Sequence, residues 1–96
     1  MRNEDLRRKL LAMAAHDEKV RAELIDAGEL FGGYHPRMAD VHDRNAAALD
    51  VIIESLGWPG ISLVGKAGGD AAWLIVQHAI AQPAFQRKCL PVLKRA

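Results

Sequence analysis

The sequence contains few of the residues that several common classes of functional site require. It has one cysteine, Cys89, which excludes an intramolecular disulfide and a thiolate-rich zinc site and favours a reducing compartment. Its aromatic residues are two Trp, two Phe and one Tyr, and its formal net charge is only +1. Domains that bind nucleic acids need a stronger basic excess and aromatic platforms for bases, so we expect no nucleic-acid partner.

Long apolar runs are also missing. The uncharged stretch 71–86 is shorter than a membrane span and is interrupted by glutamine, histidine and proline. The amino-terminal residues MRNEDLRRKLL alternate charges with leucines and lack the apolar region of a secretory signal. We therefore expect no membrane partner and a cytoplasmic protein.

Turn and capping residues predict four helical segments in a single domain, residues 1–96. Asn3 is a good start for the first helix and Gly28 ends it, while Pro36 begins a second helix that runs to about Leu56. The stretch ISLVG, residues 61–65, is interpreted as a short extended connector.

The third helix is predicted to be central and buried. The residues Gly-Gly-Asp at 68–70 are typical of a loop and an N-cap before it, and the apolar run AAWLIVQHAI follows. Pro83 begins a fourth segment, which Pro91 is expected to break or kink. The predicted fold is all-α, a compact bundle of about four helical segments around the third helix.

Polar residues fall on the faces of these helices that should point to the core. At about 100° per residue, each of the first three apolar stripes carries such residues. They are Asp17 and Arg21 on the first helix, His42 and Asn45 on the second, and Gln77 and His78 on the third. A buried polar group without a partner costs about 1–3 kcal/mol, so we expect these side chains to meet in one cluster.

The chemistry of this cluster suits acid–base catalysis, because imidazole titrates near neutral pH and a carboxylate can fix its tautomer. We predict His42, His78 and Asp17 as catalytic residues. The predicted substrate-binding residues are Arg21, Asn45, Gln77, Trp58, Tyr34 and His35.

A structural role for the same residues remains open. Asp17 and Arg21 have the spacing of an ordinary helix ion pair, the histidines can bond backbone carbonyls, and Trp58 can anchor its loop on the core. No metal or other cofactor is expected, because no helix face carries a pair of ligands and Arg21 would oppose a cation near Asp17.

Several motifs together resemble a bacterial family of unknown function, DUF6624. They are D-x-x-x-R at 17–21, YHP-x-M at 34–38, VH-x-x-N at 41–45, GWP at 57–59, VG at 64–65, AWLIVQHA at 72–79 and P-x-FQ at 83–86. The similarity spans about residues 6–93, and a departure is Glu18, where the family has Gln. The family's recurrent polar residues correspond to Asp17, Arg21, His42, Asn45, Gln77 and His78. The resemblance implies no particular reaction.

The expected function is a small cofactor-independent enzyme that acts on a small metabolite by hydrolysis, ring opening or closure, or elimination. The alternative is a non-catalytic module that binds a small ligand or another protein. A homodimer is conceivable through Val51 and the segment 83–93. The substrate, the reaction class and the accessibility of the cluster are not specified by the sequence.

Overall fold

The computed structural model describes residues 3–29 and 35–95, with side chains up to residue 91. Four helices follow one another: α1 (Glu4–Asp26), α2 (Pro36–Leu56), α3 (Ile61–His78) and α4 (Pro83–Arg95). No strand occurs in these residues. The predicted all-α bundle is confirmed. No helix in the described ranges is long and apolar enough to cross a membrane.

Both ends of α1 follow from local chemistry. The Asn3 side chain accepts a hydrogen bond of 3.0 Å from the backbone N–H of Leu6, which satisfies a donor that the first turn leaves free. At the other end Gly28 has a φ of 69°, and the N–H of Glu29 donates to the carbonyl of Leu24. A left-handed residue at this point closes the helix and favours glycine. The predicted limits of the helix are confirmed.

The amino-terminal part of α3 differs from the prediction. Residues 61–65 were expected to be extended and 68–70 to form a loop, but both stretches belong to α3, which begins at Ile61. Gly65 interrupts the helical geometry with a φ of 72° and a ψ of 174°. A Cβ built on Gly68 would lie 2.7 Å from the Cβ of Val64. Gly68 is therefore a position of close packing across the kink and not a loop residue.

Helix α3 lies at the centre of the bundle and contacts α1, α2 and α4. The larger core cluster includes Leu10, Leu49, Ile75 and Cys89, and a smaller one contains Val20, Leu24, Met38 and Val41. On α1, the residues that belong to the two clusters lie on either side of position 17. Cys89 packs as a small apolar residue within the larger cluster.

Of the two outcomes expected at Pro91, a break or a kink, the break is wrong, because α4 continues through Pro91 to Arg95. Proline removes one backbone donor and normally disfavours a helix interior. The preceding turn is held on the bundle: Cys89 is fully buried, and the Lys88 ammonium binds the carboxylates of Asp50, at 2.6 Å, and Glu54. These contacts fix the helix before the proline is reached.

Candidate functional site

The carboxylate of Asp17 is the centre of a polar cluster inside the bundle. Its oxygen Oδ2 lies 2.8 Å from Nδ1 of His78 and 3.1 Å from Nε2 of His42, and only 1% of the Asp17 side chain is exposed. The two rings have centroids 5.2 Å apart and planes inclined at 52°. The structure thus brings together the three residues predicted as catalytic, one each from α1, α2 and α3.

Helical periodicity explains why an acidic side chain lies in the interior. Leu10, Asp17 and Leu24 follow one another at seven-residue spacing, which places them on the same face of α1. Both leucines are essentially inaccessible to solvent, with exposures of 0% and 1%. The face is buried over its whole length, so the carboxylate is held in the interior with it.

The two histidines have different environments. His42 is in the interior of α2 with 8% of its surface exposed, and its pKa is lowered from 6.5 chiefly by burial, with the Asp17 carboxylate opposing the shift. The His78 side chain is 25% exposed and belongs to the last turn of α3, where the helix dipole favours a positive charge. Burial therefore favours the neutral form of His42 at neutral pH.

A cavity of about 250 Å³ adjoins the cluster. Its walls are formed by the side chains of Asp17, Arg21, Met38, His42, Gln77, His78 and Ile80. Arg21, Gln77 and Ile80 are exposed, so the cavity connects the buried carboxylate with solvent. The second Asp17 oxygen, Oδ1, is buried and has no hydrogen-bond partner among the described residues.

Arg21 and Gln77 are the two predicted binding residues that the structure places at the cavity. The expected inward-facing pair of Asp17 with Arg21 is wrong: Arg21 is exposed and makes no ion pair within the described part of the chain. The reason is that Asp17 points into the bundle and contacts both imidazoles instead.

The other predicted binding residues are not brought to the cavity. Asn45 is buried, but its Nδ2 donates to the carbonyl of Met13 at 3.1 Å and so ties α2 to α1. His35 is the N-cap of α2 and accepts a hydrogen bond from the backbone N–H of Arg37. Trp58 packs against the core and lines a separate cavity, and Tyr34 lies outside the described residues.

Two apolar residues of the cavity wall, Met38 and Ile80, were not among the predicted site residues. Met38 lies among the buried residues of α2, and a methionine on such a face is typical of a core position. Ile80 follows the end of α3, where helical periodicity no longer applies. Either residue could be identified only from contacts between different helices, which the sequence alone does not give.

The cluster also has the donor set of a metal site. One ligand atom each from Asp17, His42 and His78 lies within 4.8 Å of the others. Carboxylate oxygen and neutral imidazole are ligands that divalent transition metals accept. The ligand atoms come from three helices, a juxtaposition that spacing along one helix cannot reveal, and Arg21 does not pair with the carboxylate. These residues could therefore hold a cation as well as a proton.

Comparison with family models gives one match over residues 4–96, to DUF6624, a family of unknown function. The chain belongs to this family. The resemblance to DUF6624 is thus confirmed over nearly the whole chain. A comparison with curated proteins found no match, and neither did a comparison with solved structures. The DUF6624 assignment itself supplies no activity.

Proposed function

We propose that this DUF6624 protein is a small cofactor-independent enzyme that performs acid–base chemistry on a small metabolite. One observation supports the proposal above the others. Two imidazole nitrogens contact the same oxygen of an aspartate that is 1% exposed, at the wall of a cavity reached by solvent. Histidine is the usual general acid or base near neutral pH, and a carboxylate partner orients its ring.

The position of the protons follows from the donor and acceptor roles of the groups. An ionised carboxylate only accepts hydrogen bonds, so a neutral His78 donates from Nδ1 to Asp17 and keeps its lone pair on Nε2. His42 faces the same oxygen through its Nε2. Nε2 of His78 can then take a proton from a substrate, and the negative charge of Asp17 stabilises the imidazolium that forms.

The charges of the two imidazoles influence each other. The rings are 5.2 Å apart and share one carboxylate, so a positive charge on one disfavours a charge on the other. The ring with the proton acts as the acid and the neutral ring as the base. Hydrolysis, ring opening or closure, and elimination all need one proton removed and another delivered, and this pair can do both.

The remaining cavity residues bind the substrate. Arg21 and Gln77 offer N–H donors at the wall, where they hold a carboxylate or an oxygen that becomes negative in the transition state. The cavity volume of about 250 Å³ is below the roughly 300–1,000 Å³ of pockets for drug-sized ligands. The substrate is accordingly a compact metabolite.

We further propose that the protein acts in the bacterial cytoplasm. Burial raises the pKa of the Cys89 thiol and keeps it out of solvent, which is consistent with a structural cysteine in a reducing compartment. A homodimer is proposed through the surface around Val51, which is 66% exposed.

The proposal is tested by incubating the purified protein with pools of small metabolites and following their loss by mass spectrometry. His78→Gln and His42→Gln should abolish conversion of any substrate found, while His16→Gln, at an exposed site next to Asp17 in the chain, should retain it. Parallel reactions with EDTA decide whether a metal occupies the cluster.

Full activity in His78→Gln would overturn the proposal. A ligand that binds but is recovered unchanged in every assay would support the alternative of a non-catalytic binding module. Loss of activity in EDTA with recovery on adding a metal would contradict cofactor independence.

A further inference from the structure

Arg21 differs from most of the described arginines in its electrostatic environment. Four others each form an ion pair with a carboxylate: Arg7, Arg8, Arg37 and Arg44. Arg21 makes none within the described part of the chain, although it lies at the cavity wall beside both histidines. A guanidinium in this position can bind a carboxylate through two parallel hydrogen bonds.

Asp17 lines the same cavity, and one of its carboxylate oxygens needs a hydrogen-bond donor. Oδ1 of Asp17 is buried, accepts no hydrogen bond from the described residues, and is the carboxylate oxygen that the histidines leave unused. Such an acceptor is costly unless a donor reaches it. A ligand hydroxyl supplies such a donor.

The neighbouring charges favour an anion on the Asp17 side of Arg21. Arg21 and His78 also line an adjoining cavity of about 300 Å³, but Glu18 forms part of its wall and repels a carboxylate there. On the Asp17 side, the acidic charge faces two imidazoles. Asp43, the other acidic residue whose charge acts on His42, is exposed on α2 and is not part of this cavity wall.

We propose that the cavity binds a small hydroxycarboxylate, with its carboxylate on Arg21 and its hydroxyl donating to Oδ1 of Asp17. The short hydrocarbon part between them contacts Met38 and Ile80. This inference rests on the proposed function in treating the cavity as the reaction site. In that case the hydroxyl lies beside His78, the more exposed of the two imidazoles.

Binding is measured by NMR titration of the labelled protein with matched small molecules. Lactate and γ-hydroxybutyrate carry both groups at different separations, propionate and butyrate lack the hydroxyl, and propylene glycol and butylene glycol lack the carboxylate. At least one hydroxy acid should bind about tenfold more tightly than its matched acid and its matched glycol, since each of these lacks one of the two polar contacts.

Arg21→Gln should weaken that binding by about 10- to 100-fold, the loss expected for a charge-assisted hydrogen bond. Arg21 is exposed, so the variant should fold. Arg87→Gln is the matched control, because Arg87 is likewise exposed and unpaired among the described residues but lies on α4, away from the cavity. It should bind like the parent.

The inference fails if no hydroxy acid binds in the millimolar range, if a glycol binds as tightly as its hydroxy acid, or if Arg21→Gln binds like the parent. These outcomes are distinct from failure of the proposed function. Hydroxy-acid binding without turnover supports the inference and contradicts catalysis, whereas turnover of a substrate without a carboxylate supports catalysis and overturns the inference.

Discussion

Replacing His78 by leucine and comparing the variant with a triple replacement separates a functional cluster from a structural one. His78→Leu removes a contact of 2.8 Å to a carboxylate that is 1% exposed. Removing one partner of a fully buried ion pair costs about 3–5 kcal/mol. His78 is 25% exposed and His42 still faces the same oxygen, so we expect a smaller loss of about 2–3 kcal/mol.

For a chain of 96 residues this loss lowers the melting temperature by about 8–24 °C, at about 4–8 °C per kcal/mol. The triple variant Asp17→Leu, His42→Leu, His78→Leu removes every member of the cluster and continues the apolar face formed by Leu10 and Leu24. Replacing a buried ionic group by well-packed apolar residues is often neutral or stabilising by about 1–4 kcal/mol. We therefore expect the triple variant to melt at or above the parent.

The assay is thermal unfolding at neutral pH, followed by circular dichroism and calorimetry so that two-state behaviour is checked. A cluster retained for function lowers the stability of the fold, so its complete removal should regain that stability. A His78→Leu variant as stable as the parent would refute the energetic reasoning. A triple variant less stable than His78→Leu would show that the cluster specifies the packing of the helices.

Three further changes have outcomes that follow from the structure. Because the pKa of His42 is lowered from 6.5 in the folded state, the unfolded chain binds the proton more readily. The contribution of neutral His42 to the free energy of unfolding is complete above pH 6.5 and is lost as the pH falls below it. Between pH 7.5 and 5.5, the free energy of unfolding in urea should therefore fall less for His42→Gln than for the parent. An equal fall would contradict this. Gly68→Ala should destabilise by about 1–3 kcal/mol in urea unfolding, because its Cβ would lie 2.7 Å from that of Val64. At Gly69 the nearest atom to an added Cβ would be Cγ1 of Ile61 at 3.8 Å, so Gly69→Ala should be neutral or stabilising. A larger loss of stability in Gly69→Ala than in Gly68→Ala would be inconsistent with close packing at the kink. Asn45→Ala should cost about 0.5–1.5 kcal/mol by removing its hydrogen bond to the Met13 carbonyl, while ligand binding at the cavity should not change.

The parts of the fold that could be predicted are those set by neighbours in the chain. Asn3 and Gly28 act on backbone groups within a few residues, so their roles are evident from the sequence. The start of α3 depends instead on Gly68 packing against Val64 across a kink. A pair of glycines has the composition of a loop, and only the packed structure shows that one of them makes space for a contact.

The candidate site shows the same division. Periodicity predicted that Asp17, His42 and His78 face inward, because each lies on an apolar stripe. It did not predict which of them meet, since the helical spacing from Asp17 to Arg21 suggested a pair on one helix. Asn45, three residues from His42 on α2, reaches a backbone carbonyl and not the cavity. Whether such a side chain reaches the cavity or a neighbouring backbone depends on the distance between the helices, which helical periodicity does not specify.

Two energetic costs occur together at the one carboxylate. Burial lowers the pKa of His42 against the attraction of Asp17, and Oδ1 of Asp17 lacks a hydrogen bond among the described residues. A network that served only to fix the helices would gain stability if Oδ1 received a donor. Here the unused oxygen belongs to a residue that lines a cavity also lined by an exposed Arg21. Local rules are broken most often where a site must remain ready to bind something else, and this arrangement is what a binding or reacting partner would complete.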